Sequence, residues 1–210
     1  MLGIIRRDLM LVWHNKRERF FIIFYIPFLL LILESYEPSW LYLTILVAYT
    51  YLLSIIPFSY DIKGKSQYII NSLPITRKEI VFYKYLSTFV YLAVIIVYAG
   101  VYLWIINRMG IKTVDYFDLE MIKESIPIIM ILTSIVYPAY FSFEPKIAQI
   151  IHVIVFVTFF IGIASLGSLG DKSIVSNMEF LSGRGMIYAP IAMYIISLFL
   201  SMRLYKNRDL

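Results

Sequence analysis

An all-α polytopic membrane protein with six transmembrane helices is the fold class that this sequence predicts, and three observations predict it. Of 210 residues, 60% are hydrophobic and the mean hydropathy is +0.78. One soluble core of that size cannot hide so much apolar surface. The apolar residues gather into six segments, roughly Arg19–Glu34, Trp40–Tyr60, Val81–Ile106, Ile126–Phe143, Ile147–Leu166 and Met186–Leu204. The basic residues flank those segments unevenly, which is how membrane proteins encode orientation.

A helix rises about 1.5 Å per residue, so about 20 residues cross a hydrocarbon core of about 30 Å. The first segment is short, with an uncharged run only from Phe20 to Leu33, and the fourth is marginal. A short span is accommodated by thinning the bilayer. With the N-terminus in the cytosol, only Arg108, Lys112, Lys123, Lys172 and Arg184 face outside, leaving 14 of the 19 Lys and Arg inside. The opposite topology would invert this bias. Both termini are therefore expected in the cytosol. The basic start followed by an apolar run imitates a signal peptide, but Glu34-Ser-Tyr-Glu-Pro-Ser offers no small-residue cleavage site. Residues 2–16 fit a helix lying on the inner membrane surface, or else a cytosolic extension of the first span. Leu2, Ile5, Leu9, Val12 and Trp13 share one face, with Arg7 and Asp8 placed off it.

Several classes are excluded. Cysteine is absent, so there is no disulfide or thiolate chemistry. His14 and His152 are the only histidines, too few for a histidine metal cluster within one chain. The net charge of +5 sits beside apolar runs, a membrane-orientation pattern and not a nucleic-acid footprint.

Between the second and third spans lies the one long polar insert on the cytosolic side. Pro57 is expected to end the second span. Tyr68, Ile69 and Leu73 can form one side of a short helix, with Lys63, Lys65, Gln67 and Asn71 polar. Pro74 stops that helix. Thr76-Arg-Lys-Glu79 has capping-box spacing, so a new helix should start near Arg77 and run to about Ile106. Such a rod, roughly 45 Å long, would project below the bilayer. The insert reads either as a handle through which a soluble partner drives the membrane domain, or as an ordinary solvated loop.

The surface helix, six spans and the Ser-Leu-Pro-x-x-Arg-x-Glu stretch resemble the permease subunits of type 2 ATP-binding-cassette exporters. Among these the chain is most similar to the short permeases of phenol-soluble-modulin and antimicrobial-peptide exporters, which pair with separately encoded ATPases. The matching residues are Asp61, Gly64, Ser72, Leu73, Pro74, Arg77, Lys78, Glu79 and Lys84. The topological match covers nearly the whole chain, residues 1–210 as a single permease domain. The resemblance implies that residues 62–74 are a coupling helix docking into a separate ATPase, through Asp61, Lys63, Gly64, Lys65, Gln67, Tyr68, Asn71, Ser72, Leu73 and Pro74. It further implies a second permease chain, by default a homodimer, in a bacterial plasma membrane and its lipid. ATP and Mg would sit on the partner ATPase, with no cofactor, metal or catalytic residue on this chain.

Gly64-Lys65-Ser66 imitates the end of a phosphate-binding loop, but the Gly required five positions earlier is Ser59, and a membrane span precedes it where a strand should be. An ion-coupled carrier is the rival reading, and a non-transporting scaffold a third. Carriers place ionisable groups at mid-membrane, whereas none of the 14 acidic residues here lies inside a predicted span except at its edges. Lys84 is expected to snorkel from the cytosolic end of the third span, and His152 to be satisfied by a neighbouring helix. Thr88, Tyr91, Tyr98 and Tyr102 on the third span, Tyr137 and Tyr140 on the fourth, and Tyr194 on the sixth are candidates to line a path for an amphipathic cargo. The same residues also suit interface anchoring and helix packing. Gly167, Gly170, Gly183 and Gly185 permit turns in the outer segment before the last span. In the resembled family that segment often carries short re-entrant helices.

Overall fold

The computed structural model describes residues 2–32, 38–63, 75–111, 113–168 and 185–207. Seven helices, and no strand, occur among them: α1 Leu2–His14, α2 Lys16–Ile32, α3 Pro38–Lys63, α4 Arg77–Arg108, α5 Leu119–Ser142, α6 Pro145–Ser168 and α7 Gly185–Lys206. Five helices are long and apolar enough to cross a membrane, as Trp40–Asp61, Arg77–Arg108, Leu119–Ser142, Pro145–Gly162 and Tyr188–Lys206. The sixth expected span is α2, and it falls short. It has 17 residues with Pro27 inside, and its first four are Lys16, Arg17, Glu18 and Arg19.

The start of α4 is where the sequence places it. The Thr76 hydroxyl accepts from the Glu79 N–H at 3.3 Å, and the Glu79 carboxylate accepts from the Thr76 N–H at 2.8 Å. This capping box satisfies backbone donors that the first helical turn leaves without partners. The helix then runs 32 residues, about 48 Å.

Pro57 does not end α3, contrary to expectation, and the helix continues to Lys63. A proline removes one helical hydrogen bond, and in a membrane helix neighbouring groups can satisfy what is freed. Pro138 in α5 shows how. Its missing N–H releases the Ser134 carbonyl four residues earlier, and Ser197 Oγ of α7 donates to that oxygen at 2.7 Å.

α3 is the central element, buried at every residue from Leu41 to Tyr51. One side packs with α4, α5 and α7 through Val47, Tyr51, Ile55, Val81, Tyr137 and Tyr194. The other packs with α2 and α4 through Ile26, Leu29, Tyr42, Ile45, Tyr91 and Leu103. α6 lies outermost, with Ile150, Ile154 and Ile161 exposed. Such apolar faces suit a lipid surround, where helices need satisfy only their own backbones.

The helix ends sort into two levels. At one, here called the base, Asn15 of the α1–α2 junction bonds Tyr60 of α3, and the Tyr60 hydroxyl donates to Glu18 at 3.2 Å. Phe58 of α3 meets Phe141 of α5, and Phe141 meets Tyr205 of α7. At the opposite end, Asn107 pins the α4–α5 connection. Its amide donates to the Val114 carbonyl at 2.7 Å and accepts from the Val114 N–H at 3.0 Å. Phe117, in the left-handed region at φ 56°, lays its ring on α4 at Gly100. A Cβ on Gly100 would lie 2.3 Å from that ring, so only glycine admits the contact.

Candidate functional site

The polar insert leaves α3 after Lys63 and returns before α4. Two ionic devices hold its flanks at the base.

The first is a ring of four charges. Asp61 stands in the last turn of α3, Lys84 in the second turn of α4, and Arg7 and Asp8 side by side on α1. Lys84 Nζ lies 2.7 Å from Asp8 Oδ2 and 3.0 Å from Asp61 Oδ2. The Arg7 guanidinium lies 2.6 Å from Asp8 Oδ1 and 2.9 Å from Asp61 Oδ1. Each cation thus bonds both anions, and each anion both cations. Asp8 is 0%, Lys84 3% and Asp61 5% exposed. Burying ions costs several kcal/mol apiece unless geometry and partners compensate, and two cations against two anions leave no net charge. Burial works against the Arg7 charge, but Asp8 and Asp61 outweigh it and raise its pKa. The Phe58 ring lies beneath Lys84, its centroid 4.9 Å from Nζ.

The second device is Arg77, the first residue of α4. Its guanidinium donates to the carbonyls of Tyr205 at 3.2 Å and Lys206 at 3.1 Å, capping the C-terminal end of α7. It also lies 5.9 Å over the Tyr205 ring. Before the insert, then, the chain is tied to α1 and α4, and after it to α7, α1 and α3.

These contacts revise two sequence expectations. Lys84 does not snorkel to water; its ammonium is buried between two carboxylates. Asp8, expected off the buried face of α1, shares that face with Ile5 three residues before it. Of the expected docking residues, Asp61 turns its carboxylate into the ring and Lys63 ends α3. Gly64, Lys65, Gln67, Tyr68, Asn71, Ser72, Leu73 and Pro74 lie outside the described residues, as do Gly170 and Gly183.

The candidate path residues are spread through the packing. Thr88 Oγ1 and Tyr137 Oη are 2.6 Å apart between α4 and α5. Tyr194 of α7 donates to the Tyr85 carbonyl at 2.7 Å. Tyr85 Oη in turn meets Ser197 at 2.7 Å and Ser201 at 2.8 Å. Tyr91 is buried against α2 and α3, and Tyr140 stacks on Phe58. Tyr98 donates to the Ile22 carbonyl of α2 at 3.1 Å, beside Tyr49, which donates to the same oxygen at 2.7 Å. Tyr102 is half-buried next to Tyr98. His152 of α6 is satisfied as expected, its Nδ1 2.9 Å from Tyr51 Oη of α3. Within this chain, the hydroxyls of Tyr85, Tyr98, Tyr137 and Tyr194 join helices to one another.

Sequence reasoning missed Arg7 and Asp8. The available signal was an adjacent Arg-Asp pair on an amphipathic helix, together with a lysine inside the third apolar run.

A family model described as ABC-2 family transporter protein matches residues 3–206, nearly the whole chain. No curated protein and no solved structure matches significantly.

Proposed function

This chain belongs to the ABC-2 transporter family, whose membrane permeases normally work with an ATPase subunit and are not themselves catalytic, and on that premise we propose that it is the permease of an ATP-driven exporter. Its cargo is an amphipathic peptide, a lipid-like molecule or a drug, moved outward across a bacterial plasma membrane. Residues 62–74 carry the coupling element that docks into the ATPase. The base of the helical domain is cytosolic, α1 lies on the inner membrane surface, and α2 is a sixth, short span. Two permease chains join two ATPase chains, a closed two-fold pair being the default symmetry for identical subunits.

One observation supports this reading above the others. At the base, buried charge ties the flank before the polar insert to α1 and α4 and the flank after it to α1 and α3. A solvated loop needs no such anchorage. An element that receives force does, because displacement of its ends then moves rigid helices and is not lost in side-chain motion. The charge asymmetry of the sequence supports a cytosolic base.

The test is co-expression with an ABC ATPase from the same genome, followed by purification, native mass measurement and an ATPase assay. The expected result is a complex of two permeases and two ATPases that hydrolyses ATP, with no hydrolysis by the permease alone. Hydrolysis by the isolated permease, or transport by a permease without any ATPase, overturns the reading.

A further inference from the structure

We propose that α1 is the pin of a joint at the mouth of the insert: its Arg7–Asp8 pair lets the bases of α3 and α4 separate without stranding a buried charge. This rests on the reading of residues 62–74 as the coupling element.

The geometry carries the inference. Asp61 and Lys84 bridge α3 and α4 directly at 3.0 Å. They are the ionic contact that must open if the two flanks of the insert move apart. A simple buried pair would resist, since parting it leaves two bare ions in a poorly solvated site. Here each already holds a second partner on the same third helix. Asp61 accepts from Arg7 at 2.9 Å and Lys84 donates to Asp8 at 2.7 Å. When the direct bridge opens, Asp61 stays with Arg7 and Lys84 with Asp8. Arg7 and Asp8 remain bonded to each other at 2.6 Å. The ring becomes an open chain of four alternating charges, and every ion keeps an opposite partner. Because Arg7 and Asp8 are sequence neighbours on one helix, α1 spans the gap as it widens. The two flanks could in principle have been joined by apolar packing, which is often as stable as a buried ion pair. Alternating charge adds a second, open arrangement in which every ion of the ring keeps an opposite partner.

The experiment uses the purified full-length permease in nanodiscs, without ATPase, so that its outcome is independent of the coupling assignment. Hydrogen exchange is followed at the last turn of α3 and at residues 80–88 of α4. In the Arg7→Gln/Asp8→Asn variant the direct bridge remains, but opening parts its ions with no opposite charge on α1 to hold them. Exchange there should slow, by roughly a hundredfold or more if opening through the bridge is the exchange route. Were the ring only a structural brace, removing half of it would loosen the base and exchange would quicken, so the sign of the change decides. The Asp61→Asn/Lys84→Met variant removes the bridge and keeps the α1 pair, and should exchange at least tenfold faster than wild type at both sites. Faster exchange in the first variant, in a protein of native helicity, overturns the proposal. If the first variant does not fold, unchanged or slower exchange in the second overturns it. Absence of an ATPase partner would instead refute the coupling reading while leaving these exchange rates to judge the joint.

Discussion

Replacing Lys84 with methionine probes the ring most severely. Methionine keeps most of the side-chain volume and removes the charge. Arg7 would then be the one cation left in the ring against Asp8 and Asp61, so the ring would carry one negative charge in excess where the two carboxylates are 0% and 5% exposed. Breaking a buried ion pair by deleting one partner typically costs about 3–5 kcal/mol. For a chain of this size each kcal/mol shifts Tm by about 2–4 °C, so the fall should be roughly 6–20 °C. The assay is thermal unfolding of the purified permease in one detergent, read by intrinsic fluorescence. Adding Asp61→Asn to the same chain leaves Arg7 and Asp8 as a matched pair and should recover more than half of the loss. A Lys84→Met protein melting within about 2 °C of wild type, or a second substitution that recovers nothing, would refute the claim that charge balance governs this site.

Other outcomes follow from other contacts. Gly100→Ala places a Cβ 2.3 Å from the Phe117 ring and should cost about 1–3 kcal/mol by overpacking. Phe117→Gly, which removes the ring and tolerates φ 56°, should rescue it in the same melting assay. Ser197→Ala leaves the Ser134 carbonyl without its donor and should cost about 1–2 kcal/mol. In a Pro138→Ala background, where an N–H returns to that carbonyl, the same change should cost less, a coupling that a double-mutant cycle reads directly. For topology, a single cysteine at Lys65 should resist an impermeant thiol reagent in intact cells and react in inverted vesicles, because the chain has no cysteine background. Labelling in intact cells would invert the orientation.

What the sequence made legible is what short-range physics controls. The start of α4 depends on Thr76 and Glu79, three residues apart, so the capping box could be read directly. The apolar runs of α3 to α7 are likewise local, and they mark five helices of spanning length. Helix α2 was harder, because a charged first turn and Pro27 leave it between classes. Pro57 misled because its effect depends on what surrounds the freed carbonyl, which no local pattern records. Of the ring, an adjacent Arg-Asp pair and a lysine inside an apolar run were visible in the sequence, but not the contacts that close it. Asp8 meets Lys84 across 76 positions and Arg7 meets Asp61 across 54. In isolation each of those residues reads as a surface or snorkelling charge. The tyrosines show the same limit. A stripe of hydroxyls looks alike whether it faces a cargo or another helix, and the bonds of Tyr85, Tyr137 and Tyr194 to neighbouring helices appear only once the helices are packed.

The central claim is that the insert between α3 and α4 receives force from a separate ATPase. Leu73 is the apolar residue beside Pro74 in that polar stretch, so a Leu73→Asp variant tests it most directly. A carboxylate forced into a docking cleft is costly unless paired. Tagged permease, wild type and variant, is purified from cells co-expressing the ATPase, and the ATPase recovered per permease is measured beside the amount of permease in the membrane. The account predicts membrane insertion near the wild-type level and at least a tenfold loss of recovered ATPase. Equal recovery of ATPase with unchanged transport would contradict it.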